Sequence, residues 1–102
     1  MIQTIEIMIK MGINNIINAI IVYPKNICYL NNVKYEVDDD FLDDIAGTIA
    51  LWRNEYGYDE NIDSEEFTII VTTDEGKETM HGKGIYPHNY EYSKELLGDL
   101  ND

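Results

Sequence analysis

The chain has one cysteine, two prolines, three alanines, one arginine and only seven basic residues in 102. A lone Cys28 forms no intramolecular disulfide, so nothing in the sequence asks for an oxidising compartment. Seven bases against twenty acids leave a formal charge of −13. Nucleic-acid affinity comes from Lys and Arg neutralising phosphates, and anionic membranes draw on the same residues. Neither is expected as a direct ligand. Long apolar runs are missing too: Glu6 and Lys10 interrupt the first, and Asn14, Asn15 and Asn18 follow. Residues 2–23 fall short of the roughly 18 consecutive apolar positions of a membrane span, and they lack the unbroken apolar stretch of a secretory signal. A cytoplasmic protein, in a bacterial cytosol, is the expectation.

What is present is a core. The chain is 44% hydrophobic with eleven aromatics, which argues against wholesale disorder, and its length suits one domain over 1–102. Ten of the sixteen isoleucines lie in the first 35 residues. That segment holds one acid and three bases, while residues 36–102 hold nineteen acids and four bases, or −15. Abundant Ile, Asn and Tyr beside scarce Ala and Arg suits AT-rich coding, as in low-GC bacteria, their phages and mobile elements.

Ile5, Ile7, Ile9, Met11 and Ile13 alternate with Glu6, Met8, Lys10 and Gly12, the period of a strand with one buried face. Ile5, Ile9, Ile13, Ile16 and Ile20 also fit helical spacing. β-Branching and the turn signal Gly12-Ile13-Asn14-Asn15 favour the strand. Pro24 ends a second run, Ala19–Tyr23. Asn31-Asn32 links Ile27–Leu30 to Val33–Val37 as a two-residue hairpin. Asp39 or Asp40 caps a helix, with Asp43 and Asp44 read as first-turn charge. Its apolar stripe is Phe41, Leu42, Ile45, Ile49, Trp52 and Tyr56, and its stop is Gly57. Gly47 inside the stripe suggests close packing by a strand. The expected fold is α+β: an antiparallel β-sheet (meander 3–11, 19–23, 27–37, then hairpin 66–82) packed against a main helix 39–56 and a C-terminal helix 88–98.

No motif carries catalysis or a cofactor. Asp59-x-Asn61-x-Asp63 opens like a calcium loop, but Ser64 and Ile70 stand where Gly and a bidentate Glu are needed. Cys28, His81 and His88 lack the paired short spacings of a zinc site. Gly82-Lys83-Gly84 lacks the frame of a phosphate loop. A non-enzyme without cofactor or metal is therefore expected. The acids cluster instead: Glu36, Asp38, Asp39, Asp40, Asp43 and Asp44 at the start of the main helix; Asp59, Glu60, Asp63, Glu65 and Glu66 after its end; Asp74, Glu75 and Glu78 at a hairpin tip. An eighteen-residue helix about 27 Å long would set the first two clusters apart on one long face. Tyr58 and Tyr90 are the expected exposed contact residues, because tyrosine is favoured in interface hot spots.

Size, charge and α+β build resemble small inhibitors encoded by phages and mobile elements, including anti-CRISPR proteins, and bacterial immunity proteins that neutralise cationic nuclease toxins. The resemblance has no shared motif, so it carries over no site residue. It implies an inhibitor or nucleic-acid mimic whose partner is a basic, nucleic-acid-binding protein; the acidic clusters and the two tyrosines themselves make Asp38, Asp39, Asp40, Asp43, Asp44, Tyr58, Asp59, Glu60, Asp63, Glu65, Glu66 and Tyr90 the expected contact residues. Two other accounts stand beside it. One is a homodimer or adaptor joined through the Ile-rich third, with Ile5–Ile13 pairing at a sheet edge. The other is charge that serves solubility alone.

Overall fold

Strand alternation in the first third builds the centre of a single sheet. This computed structural model describes residues 1–12, 14–52, 55–58 and 65–101. Its strands are β1 (Ile2–Met11), β2 (Asn15–Val22), β3 (Ile27–Leu30), β4 (Val33–Glu36), β5 (Glu55–Tyr58), β6 (Glu66–Thr73) and β7 (Gly76–Lys83); its helices are α1 (Asp39–Ile49) and α2 (Tyr90–Gly98). Short 3-10 turns follow β2 and α2. The sheet order is β4-β3-β2-β1-β6-β7-β5. Every neighbouring pair is antiparallel except β5 and β7, which run parallel. The fold is α+β, as the sequence indicates, with one parallel edge strand added to the expected antiparallel sheet. None of the described helices is long and apolar enough to cross a membrane.

One face of the sheet is buried. Ile5, Ile7 and Ile9 of β1 lie there, aligned with Ile21 and Ala19 of β2 and with Ile69 and Phe67 of β6. Leu42, Ile45 and Ile49 of α1 and Leu97 of α2 complete the same core. Burying each such aliphatic side chain is worth about 1.5–3 kcal/mol. At the β6–β7 end the core turns aromatic around Phe67, with ring centroids of Tyr90, Tyr56, Trp52 and Tyr86 at 5.3, 6.1, 6.3 and 6.3 Å.

The expected elements survive with altered limits. β2 begins at Asn15 because its pairing with β1 runs unbroken from Met11↔Asn15 to Thr4↔Val22. It ends at Val22, where Tyr23 and Pro24 enter a 3-10 turn. Asn31 and Asn32 both take positive φ (48° and 70°), the backbone of a tight hairpin. The hairpin expected over 66–82 pairs Glu66 with Lys83 at its open end. α2 starts at Tyr90, after Asn89 in a left-handed conformation (φ 65°).

The main helix is the principal correction. It ends at Ile49 and not at 56. Gly57 is not its stop: it lies in β5 with φ 90°, and a Cβ there would meet Ile85 Cδ1 at 3.1 Å. Trp52 and Tyr56 still reach the core, so the stripe reported burial correctly. Burial at three-to-four spacing arises here from a chain that leaves the helix and returns as a strand. Gly47 is also corrected, since a Cβ there would meet nothing within 4 Å. Gly82 admits a closer neighbour than Gly57 does, since a Cβ there would come within 2.7 Å of the Phe67 ring. Finally, β1 is not an edge strand. It lies at the middle of the sheet, hydrogen-bonded on both sides, so it has no free edge with which to pair a second copy.

Candidate acidic binding face

The start of α1 is built by short-range chemistry. Asp38, and not the expected Asp39 or Asp40, caps the helix: its Oδ1 accepts from the Phe41 backbone N–H at 2.9 Å. Asn26 donates through Nδ2 to Asp39 Oδ1 at 2.8 Å, tying the helix start to the turn before β3. Leu42, Ile45 and Ile49 face the sheet, which leaves Asp39, Asp40, Asp43 and Asp44 on the solvent side. All five carboxylates from Asp38 to Asp44 are exposed. No base lies on α1, and among the described residues none of these five joins an ion pair.

Only Asp39 and Asp40 occupy the first turn. Asp43 and Asp44 fall in the second, which corrects their expected placement. The helix dipole favours anions mainly within the first turn. Asp39–Asp43 and Asp40–Asp44 are moreover like-charge pairs at i,i+4 spacing, each unfavourable by about 0.2–0.5 kcal/mol. The charge of Asp43 also acts on the half-buried Tyr23 hydroxyl, which donates to the Leu42 carbonyl at 2.8 Å. Burial first, and then that charge, push the Tyr23 pKa up to about 12.

Of the second cluster, the described residues Glu65 and Glu66 do not extend this face. An eleven-residue helix is about 16 Å long, so the long face spanning 39–56 is absent. Asp59, Glu60 and Asp63 lie outside the described residues, as does the side chain of Tyr58; the backbone of Tyr58 belongs to β5. Glu65 is turned inward. Its carboxylate accepts from Tyr90 Oη at 3.0 Å and from Lys94 Nζ at 2.9 and 3.1 Å, while its backbone carbonyl accepts from Tyr86 Oη at 3.0 Å. Tyr90, expected to be exposed, is 3% exposed and stacks on Tyr86 at 4.6 Å. Burial, followed by the charge and hydrogen bond of Glu65, pushes its pKa well above the usual tyrosine range. Burial alone would lower the Lys94 pKa; the hydrogen bond and charge of Glu65, with Glu91, outweigh it and hold that pKa up. These groups form an internal latch between β6 and α2. Glu66 sits on the other side of the sheet, beside His81 Nε2 at 3.3 Å.

The sheet face away from the helices was not anticipated as a charged surface. Register places Thr4, Glu6, Met8 and Lys10 of β1 on it, with Lys34 and Glu36 of β4, Glu66 of β6 and Lys77 and Lys83 of β7. Among the described side chains, four bases thus share one face with three acids. Strand alternation was the signal: each of these lysines falls at a polar position of a strand. Cys28 is wholly buried on β3, and burial pushes its thiol up to about 11. Among the described residues no group of His, Cys, Asp or Glu is arranged to hold a metal. A concavity of about 410 Å³ is an open depression along the β6–β7 hairpin beside Glu75, Lys77 and Glu78.

Compared with protein-family models, curated proteins and solved structures, the chain matches none.

Proposed function

We propose that the protein is a small acidic binding protein that occupies the basic surface of a nucleic-acid-handling protein and blocks it. The observation that carries this reading is the outer side of α1: five exposed carboxylates in seven residues, without a base on the helix. Two of them lie beyond the reach of the helix dipole and cost the helix stability through like-charge repulsion. Carboxylates about 6 Å apart on a rigid helix present spaced negative charge of the kind a phosphate-binding surface accepts. The bases are gathered largely on the opposite face, so the negative field of α1 is not cancelled locally and steers a cationic partner towards it.

The test is capture from bacterial lysate on immobilised protein, with elution by salt. A basic nucleic-acid-binding protein is expected in the salt eluate. The fourfold change Asp39→Asn, Asp40→Asn, Asp43→Asn and Asp44→Asn should abolish its capture while circular dichroism stays unchanged. No basic partner at low salt, or capture indifferent to salt, rejects the reading in favour of charge for solubility. An inhibitor of a host nuclease and an immunity protein against a nuclease toxin share this chemistry; the identity of the captured protein separates them.

A further inference from the structure

We propose that the open face of β1–β4 is the interface of a twofold homodimer. Four large apolar side chains adjoin there and remain exposed: Met8 (43%), Ile16 (49%), Ile20 (37%) and Tyr29 (39%). The charged groups around them on these four strands are Glu6, Glu36, Lys10 and Lys34. This part of the surface is therefore neutral in a chain of −13. An apolar centre within a polar rim is the anatomy of an interface. For two copies of so acidic a chain, it is also a surface of low mutual repulsion.

The register makes the face self-complementary. One row across the sheet reads Lys34–Tyr29–Ile20–Glu6, from β4 to β1. A twofold axis parallel to the strands, midway between β2 and β3, maps this row onto its own reverse. Lys34 then faces Glu6 of the second copy, and Tyr29 faces its Ile20. The same contacts recur with the copies exchanged. Strands about 4.8 Å apart place Lys34 and Glu6 each about 7 Å from the axis. The rotation of about 30° between aligned sheets displaces them by about 4 Å, which a lysine side chain spans. The neighbouring row, Glu36–Ile27–Val22–Thr4, sets Glu36 over Thr4 of the second copy, so no like charges meet in either row.

β1 and β2 share about 26 Å of length and β3 and β4 add about 13 Å each, so strands about 4.8 Å apart offer roughly 370 Å² a side, the size of a weak, transient contact. The dimer should accordingly be weak, forming between micromolar and millimolar concentration. It is independent of the acidic face of α1, so either proposal stands if the other fails. The experiment is sedimentation equilibrium of the whole chain up to about 1 mM. A concentration-dependent rise from 11.8 kDa towards twice that mass is expected. Ile20→Glu should hold the chain monomeric with unchanged circular dichroism. Lys34→Glu and Glu6→Lys should each weaken the dimer by about tenfold, and the two together should restore it. If Ile20→Glu disturbs folding, the charge pair decides alone. A monomer throughout, a dimer indifferent to these changes, or a double reversal that fails to restore association overturns the proposal.

Discussion

Glu65 shows how much of an acidic residue's role depends on what surrounds it. Its carboxylate is held by the Tyr90 hydroxyl and the Lys94 ammonium, between an aromatic cluster and α2. Tyr90→Phe keeps the ring packing but removes one donor from a partly buried carboxylate. It should cost about 1–2 kcal/mol of stability, read as a lower urea midpoint; an unchanged midpoint would show that water replaces the bond freely. Cys28 and Tyr23 make a second point. Each keeps its proton to a higher pH in the fold than in the unfolded chain, about 11 against 9.0 and about 12 against 10.0. A folded-state pKa that is raised gives stability that is complete below the unfolded pKa and lost as pH climbs through the folded one. Urea midpoints should therefore be flat from pH 7 to about 9 and fall towards pH 11. A midpoint that rises over that interval would contradict the assignment.

At the scale of elements, two glycines report on opposite environments. Gly47 is exposed in α1 with room for a methyl group, so Gly47→Ala should stabilise the domain by roughly 0.5–1 kcal/mol through helix propensity. Gly82 lies in β7 beneath Phe67 and Tyr56, and Gly82→Ala should destabilise it by about 1–3 kcal/mol through overpacking. Thermal melts of the two variants should move in opposite directions. The sequence pointed to the wrong one of the pair because composition marks a glycine and not its neighbour across the sheet. The limits of α1 were illegible for a related reason. Trp52 and Tyr56 continue its apolar spacing, yet Trp52 Nε1 donates to the His88 carbonyl at 2.9 Å and Tyr56 lies on β5. Contacts 36 residues away decide that exit, and local periodicity does not register them. The Asn31-Asn32 hairpin, by contrast, was fully legible, because its two residues suffice to define the turn.

For the whole molecule, charge is arranged by face as well as along the chain. The −13 of the sequence becomes a strongly anionic α1 on one side and an almost balanced sheet face on the other. If α1 is the contact surface, its charge trades stability for binding. Asp43→Asn with Asp44→Asn should raise stability by about 0.5 kcal/mol, since two i,i+4 repulsions disappear, and should weaken salt-sensitive capture of a basic partner. Urea titration and lysate capture measured on the same double variant check both halves. A gain in stability without loss of capture would leave the charge to solubility.

The sequence by itself determined the α+β class, the tight Asn31-Asn32 turn, the isoleucine-rich strand and the capped acidic helix start. All of these rest on interactions within a few residues, or on a period that backbone geometry imposes. Tertiary structure alone decided that Ile2–Met11 is the central strand, that Glu55–Tyr58 is a strand, and that Tyr90 and Glu65 are turned inward. It also gathered Lys10, Lys34, Lys77 and Lys83 onto one face. Those outcomes depend on which strands pair and in what register, and such pairing joins residues far apart in the chain.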